Sequence, residues 1–238
     1  RKRWHGSSSA DRPGRQFVVF TQNHDQVANA RAGKRPASIL SSGQEKIAAA
    51  LLVCAPNLPL FFMGQEFGTK SQFTYFTDFQ DHALARAVSE GRKKEYEGFL
   101  GAGFIDPQSP EAFASSKLRW EEIGDPAHDE ILRFHRELLA LRKRHRCLSN
   151  CRKDLTSVEF DGTANWITLE RGDDSTERAV IVCNLSGRRL AIPIARGGLE
   201  LALFGGESGA QPPAREIAPE QRSVELEPCS TAIYIAKV

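Results

Sequence analysis

Two short runs of continuously apolar residues, separated by a helical pattern, constrain the fold of the first half most strongly. The runs cover residues 17–20 and 58–63, and the helical pattern covers residues 44–55. Each run has the composition of a strand buried on both faces, and each ends abruptly in polar residues, TQNHDQ and GQEFG. Strand, helix and strand in this order predict a right-handed βαβ unit with parallel strands.

Two further helices are predicted from their start signals. Asp81 precedes one helical pattern, and Asp125, followed by Pro126, precedes a second one that ends in a crowd of basic residues. A short acidic side chain before the first turn and cations in the last turn suit the two ends of a helix.

The pattern changes near residue 150 to short runs of alternating apolar and polar residues, separated by Gly, Asp, Ser and Pro. Seven such runs within ninety residues predict an antiparallel β-sandwich. We therefore predict two domains, residues 1–149 and 150–238. The seven runs are TSVEF, ANWITLE, RAVIVCNL, RLAIPI, LELALF, SVELE and STAIYIA.

Composition excludes several classes of partner. The formal net charge is +2, which gives no overall field for nucleic acid or an anionic membrane, and no apolar run approaches the roughly 20 residues of a membrane span. The five cysteines are scattered without metal-ligand spacing, so we expect reduced thiols, no metal and a cytoplasmic protein. Because the only methionine is Met63, we expect the chain to be a fragment of a longer polypeptide.

The polar cluster after the first apolar run is the strongest candidate site. Asn23, His24, Asp25 and Gln26 follow Gln22 at the end of the predicted strand. In parallel α/β folds the carboxyl ends of strands form the active-site mouth, and amide, imidazole and carboxylate groups suit a sugar. The structural alternative is that Asp25 caps the next helix beside a structural histidine.

Several ordered motifs resemble the alpha-amylase family of glycoside hydrolases. They are QNHDQVAN, LPLFFMGQEFG, FTYFTDF, SEGRKKEYEGF, DPQSPEAFASSKLRW and FHRELLALRKRH, and they span roughly residues 1–146. The resemblance implies an α/β fold, namely the C-terminal part of a (β/α)8 TIM barrel with about its last two strands and helices. An all-β antiparallel sandwich domain would follow.

The resemblance also implies a chemistry and residue roles. The family hydrolyses α-1,4-glucosidic bonds with retention, and the narrower match is to members that act on malto-oligosyltrehalose, so an α-glucan is the expected substrate. By the matching motif, Asp25 stabilises the transition state, and His24, Asn23 and Gln26 bind substrate. No cofactor is implied. The nucleophile and the general acid are expected before Arg1, in an N-terminal part of the same polypeptide.

Alternatives remain open at this point. Another alpha-amylase-family enzyme, such as a branching enzyme or an amylase, would share most motifs, and a non-catalytic glucan-binding or structural module would share the sandwich. Glu66 faces the cleft or anchors loop backbone, with the anchor favoured. Tyr75 and Phe76 stack on a sugar or pack in the core.

Overall fold

The computed structural model describes residues 6–100, 103–172 and 177–236. The chain divides into two compact units that alternate along the sequence. The first unit comprises residues 1–19, 46–60 and 134–238, and the second comprises residues 20–45 and 61–133. The predicted domain boundary at residues 149 and 150 stays a prediction.

Among the described residues, six α-helices and two short strands lie before residue 150, and strands dominate after it. The helices are α1 (His24–Ala28), α2 (Ser42–Cys54), α3 (His82–Glu95), α4 (Pro110–Ser115), α5 (Pro126–Arg144) and α6 (Arg146–Ser149). The strands are β1 (Val18–Val19), β2 (Leu58–Pro59), β3 (Thr156–Asp161), β4 (Trp166–Gly172), β5 (Arg178–Asn184), β6 (Leu190–Pro193), β7 (Leu199–Gly205), β8 (Glu216–Ile217), β9 (Ser223–Leu226) and β10 (Ser230–Ala236).

The predicted strand–helix–strand unit is present, with shorter strands than its apolar runs. β1 and β2 pair in parallel, and Val18 lies opposite Leu58. The Leu60 N–H donates to the Val19 carbonyl at 2.8 Å, whereas Pro59 has no N–H to donate. Val18 is 55% exposed and Leu58 is 43% exposed, so the strands are not buried on both faces within the described residues.

The buried helix α2 forms as predicted and begins two residues earlier. Ser41 and Gln44 form a reciprocal cap: Ser41 N–H donates to Gln44 Oε1 at 3.0 Å, and Gln44 N–H donates to Ser41 Oγ at 3.3 Å. The capping pair therefore sets the start at Ser42. The buried apolar side chains lie all around its second half; they are Ile47, Ala49, Ala50, Leu52, Val53 and Cys54.

The start signals of α3 and α5 are confirmed by side-chain caps. Asp81 Oδ1 accepts hydrogen bonds from Ala83 N–H at 2.8 Å and Leu84 N–H at 3.2 Å. Asp125 Oδ1 accepts from Ala127 N–H at 2.8 Å. Both helices therefore begin where a carboxylate satisfies the free N–H groups of the first turn.

The seven alternating runs each contain a strand, and the strands form two antiparallel sheets. One sheet has the order β3-β4-β5-β10-β7-β8, and the other pairs β6 with β9. β8 was not predicted, because two residues carry no periodic signal. The inward side chains of both sheets share one core; they are Val180, Val182, Ile192, Ile194, Leu199, Ile217, Val224, Leu226, Ala232 and Tyr234.

Two kinds of feature are absent from the described residues. No helix among them is both long and apolar enough to cross a bilayer. No group of three or more His, Cys, Asp or Glu side chains in the same ranges is arranged to hold a metal ion. All five cysteines are free, and four of them are buried.

Candidate active site

Asn23 positions the candidate site by capping helix α1. Its backbone is extended, with φ of −144° and ψ of −179°, and its Oδ1 accepts a hydrogen bond from Gln26 N–H at 2.9 Å. The cap therefore occupies the amide oxygen of Asn23 and fixes the first turn, on which His24, Asp25 and Gln26 stand.

The carboxylate of Asp25 is open to solvent. Its side chain is 75% exposed, and its Oδ1 lies 3.3 Å from Nε2 of His24, whose side chain is 67% exposed. The main-chain carbonyl of Asp25 accepts from the backbone N–H and the side-chain amide of Asn29. Asp25 is therefore not the helix cap that the structural alternative required, because Asn23 has that role.

The two polar clusters that follow β1 and β2 meet through a hydrogen bond between side chains. Gln65 Nε2 donates to Thr21 Oγ1 at 2.8 Å, and Gln65 Oε1 accepts from Phe62 N–H at 3.2 Å. Gln65 lies in a 3₁₀ turn between two glycines in the left-handed region, Gly64 and Gly68, with φ of 84° and 62°. The turn directs the glutamine side chain back toward the first cluster.

Arg35 joins the same two loops and was not predicted. It is 1% exposed, its Nε donates to the Ser71 carbonyl at 2.7 Å, and its Nη1 donates to the Met63 carbonyl at 2.8 Å. The guanidinium lies over the ring of Phe62, 4.9 Å from its centroid. A loop arginine carries no sequence signal for burial, since arginine side chains are usually exposed.

Burial and two nearby carboxylates set the pKa of Arg35. Burial lowers the pKa of Arg35 to about 10, and the carboxylates of Glu66 and Glu122 oppose that shift. Glu66 is half-buried. The sequence favoured Glu66 as an anchor for loop backbone. In the described residues no backbone group bonds to its carboxylate, which instead attracts the charge of Arg35.

Glu122 is held in a network behind Arg35. It accepts from Ser71 Oγ at 3.3 Å and from Arg119 Nη2 at 2.6 Å, and Thr69 Oγ1 also donates to it. Burial acts to raise its pKa, but these hydrogen bonds and the Arg119 charge outweigh burial and lower it. Glu122 therefore stays ionised and ties the loop after β2 to residues 119–122.

A cavity of about 380 Å³ lies beside α1. Gln22 and Gln26 line it from the candidate cluster, and Arg35 lines it from the following loop. Gln22 Oε1 and Arg35 Nη2 are buried and have no hydrogen-bond partner among the described residues. Gln22 is 6% exposed, and the sequence gave no sign of its burial.

The aromatic segment does not line this cavity and is partly exposed. Tyr75 is 40% exposed and Phe76 is 36% exposed. Phe76 packs edge-to-face on Phe73 and Phe113, with ring centroids 5.8 and 5.4 Å apart, and lines a second cavity of about 540 Å³ with Asp78. Neither aromatic is a fully buried core residue.

Comparison with solved structures places the chain in a structural class. A candidate alpha amylase from Salmonella typhimurium is 31% identical and matches with a TM-score of 0.78, across 98% of this chain and 37% of that chain. The trehalulose synthase MutB of Pseudomonas mesoacidophila MX-45 is 17% identical and matches in fold alone, with a TM-score of 0.55, across 92% of this chain and 43% of that one. The chain therefore has an alpha-amylase-like fold.

Curated relatives define a narrower group. Malto-oligosyltrehalose trehalohydrolases from three organisms are similar to this chain. The protein of Mycobacterium tuberculosis is 34% identical to it over 206 residues, that of Brevibacterium helvolum 38% over 188, and that of Rhizobium sp. (strain M-11) 34% over 219. These matches cover 85%, 78% and 91% of this chain but only 34%, 31% and 34% of the relatives.

The resemblance read from the motifs is confirmed. The chain is homologous over most of its length to part of the malto-oligosyltrehalose trehalohydrolases, and it spans about a third of their length. No family model matches the chain.

Proposed function

We propose that this chain is part of a glycoside hydrolase of the alpha-amylase family. The enzyme hydrolyses the α-1,4-glucosidic bond next to the trehalose end of malto-oligosyltrehalose and releases trehalose. The observation that carries the proposal is the exposed carboxylate of Asp25, which stands on the first turn of a capped helix and accepts no backbone N–H of the described residues. Homology to malto-oligosyltrehalose trehalohydrolases supports this substrate.

Asp25 acts in this proposal as the transition-state stabiliser. Its oxygens accept hydrogen bonds from the secondary hydroxyls of the glucose ring whose anomeric carbon reacts. These bonds strengthen as positive charge develops at that carbon, so a carboxylate stabilises the transition state more than the bound substrate. The helix cap holds the backbone of Asp25 in place before substrate binds, which reduces reorganisation.

The neighbours of Asp25 bind the same substrate. His24 donates a ring N–H to a hydroxyl, and its Nε2 already lies 3.3 Å from Asp25 Oδ1. Asn23 has its amide oxygen in the helix cap and offers its NH₂ group, and Gln26 offers a whole amide. These groups recognise a neutral polyol through paired donors and acceptors.

The bond-breaking carboxylates are supplied by the rest of the polypeptide. In the retaining mechanism one carboxylate attacks the anomeric carbon, while a carboxylic acid gives its proton to the leaving oxygen. Water, deprotonated by the resulting carboxylate, then hydrolyses the covalent glycosyl-enzyme. We assign neither role to a residue of this chain, and we place the complete enzyme in the cytoplasm.

Replacing the candidate carboxylate tests the proposal. We expect Asp25→Asn in the complete polypeptide to lower kcat about 1000-fold, because an amide does not match the developing positive charge. The circular dichroism spectrum and Tm should stay the same, since the exposed side chain holds no backbone group. The measurement is trehalose release from malto-oligosyltrehalose.

Asp129→Asn provides the matched control. Asp129 is also an acidic residue in the first turn of a helix, and its carboxylate pairs with Arg133 at 3.1 Å. This variant should keep normal activity. Near-normal trehalose release by Asp25→Asn would refute the assigned role, and products without trehalose from the wild type would favour an amylase or a branching enzyme.

A further inference from the structure

Helix α1, which carries Asp25, is too short to be stable by itself. It has five residues, and isolated helices of that length are not stable in water. Of its side chains, Val27 and Ala28 are buried. The position of the Asp25 carboxylate therefore depends on the residues that fix the two ends of α1, and Asn23 fixes the first end.

Asn29 fixes the second end of the helix. Its backbone N–H donates to the Asp25 carbonyl at 3.0 Å, and its side-chain Nδ2 donates to the same carbonyl at 2.8 Å. A carbonyl oxygen has two lone pairs, so it accepts both bonds. The side chain of Asn29 therefore holds the main chain of Asp25 as long as its amide nitrogen faces that carbonyl.

Arg92 of α3 orients the Asn29 amide. Its Nη1 donates to Asn29 Oδ1 at 2.6 Å, and its Nη2 donates to the Ala28 carbonyl. A guanidinium has donors and no acceptor, so it binds the oxygen of the amide and leaves the nitrogen for Asp25. These bonds join α3 to the end of α1 across 63 and 64 positions of the chain.

The guanidinium of Arg92 is itself held on several sides. Its Cζ lies 5.6 Å from the ring centroid of Tyr75 and 5.5 Å from that of Tyr96, and Glu95 Oε2 accepts from Nη1 at 2.7 Å. The side chain is 10% exposed. Contact with aromatic rings and charge-assisted hydrogen bonds in one plane fix an arginine in a way that a lysine cannot reproduce.

We propose that Arg92 is a positioning residue for Asp25, which it holds in place through the side chain of Asn29. The inference rests on the proposed function. A carboxylate that stabilises a transition state loses much of its effect when it is displaced by about 1 Å, whereas the other contacts that bind the substrate change less. Arg92 therefore acts mainly on kcat and little on KM.

Arg92→Met tests the inference in the complete polypeptide. Methionine keeps an apolar side chain beside the two tyrosine rings and removes every donor, so kcat for trehalose release should fall about 30-fold, while KM changes less than about threefold. Arg92→Lys keeps the charge and one donor and should restore kcat to within about fivefold of the wild type. Arg86→Met changes an exposed arginine of the same helix and should leave both constants unchanged.

A double-mutant cycle distinguishes positioning from a general loss of structure. On the Asp25→Asn background the carboxylate is already absent, so Arg92→Met should lower the residual kcat less than about threefold. A purely structural role would lower kcat by the same factor on both backgrounds. If Arg92→Met does not fold, Arg92→Lys provides the comparison, because its smaller loss should also occur on the wild-type background alone.

The outcomes separate this inference from the proposed function. If Asp25→Asn lowers kcat about 1000-fold but Arg92→Met has equal effects on both backgrounds, or none, the positioning role is refuted and the proposed function stands. If Asp25→Asn retains near-normal activity, the proposed function fails instead. A fall in kcat on the wild-type background alone, with rescue by Arg92→Lys, supports the positioning role.

Discussion

At the scale of single residues, Arg35 holds the loops of the candidate site together. Arg35 binds the carbonyls of Met63 and Ser71, which belong to the loop after β2, and it lines the cavity beside α1. Burying a guanidinium has a large desolvation cost, which the two hydrogen bonds and the attraction to Glu66 and Glu122 offset. A lysine has no planar fork and would not reproduce both bonds.

Glu177 gives the fold a dependence on pH. Its carboxylate contacts His145 Nδ1 at 2.6 Å and accepts from Cys147 N–H at 3.3 Å. Burial acts to raise the pKa of Glu177, but these two hydrogen bonds outweigh it and hold the pKa below the ordinary value of a glutamate. Its contribution to stability is therefore full above that value and is lost as pH falls through the folded pKa.

We expect Glu177→Gln to make the free energy of unfolding depend less on pH in acid. The free energy of unfolding, measured by urea titration between pH 7 and pH 3, should fall less steeply below about pH 4.5 in the variant. Glu225→Gln is the control, because Glu225 forms an exposed pair with Arg189. Identical slopes for Glu177→Gln and wild type would contradict the role of Glu177.

Among the secondary-structure elements, α2 is stabilised at its start by neighbouring residues and at its end by a residue far along the chain. Its start is local, since Ser41 and Gln44 cap it reciprocally. At its C-terminal end the carbonyls have no partner within the helix, and Arg142 of α5 donates to the carbonyls of Val53, Ala55 and Asn57. A cation there also interacts favourably with the negative end of the helix.

Removing that cation should destabilise the fold. We expect Arg142→Leu to lower the free energy of unfolding by about 2–3 kcal/mol, because three partly buried carbonyls lose a charged donor. Arg142→Lys should recover only part of the loss, since an ammonium lacks the planar fork. Chemical denaturation measures both, and Arg144→Leu, at an exposed position on the same helix, should change little. Equal stability of Arg142→Leu and wild type would refute the cap.

For the whole molecule, the short parallel sheet leaves apolar side chains in contact with water. Val18 is 55% exposed, Leu58 is 43% exposed and Leu60 is 39% exposed. Within the described residues β1 and β2 pair only with each other. Strand edges and exposed apolar side chains of this kind favour association between chains.

The isolated 238-residue chain should therefore self-associate and should not release trehalose. Size-exclusion chromatography with light scattering would detect species above the 26.4 kDa of the monomer. The double variant Val18→Thr, Leu60→Thr should shift the population toward the monomer, whereas changing the buried Ile181 should not. A monodisperse wild-type monomer, or trehalose release by it, would contradict this expectation.

The features that the sequence predicted correctly depend on residues close together in the chain. The caps at Asp81 and Asp125 and the seven alternating runs were predicted correctly, because each depends on residues within a few positions. Asp25 shows the limit of such predictions. Its motif left a capping role open, and only the backbone geometry gave that role to Asn23.

The sequence by itself determined the helices α2, α3 and α5, the strands of the seven alternating runs, and the parallel pairing of β1 with β2. It could do so because apolar periodicity and capping side chains act locally. Only the tertiary structure decided that Arg35 and Gln22 are buried beside one cavity and that Gln65 reaches Thr21. Those contacts join residues far apart in the chain, and the burial of a polar side chain depends on which loops fold over it.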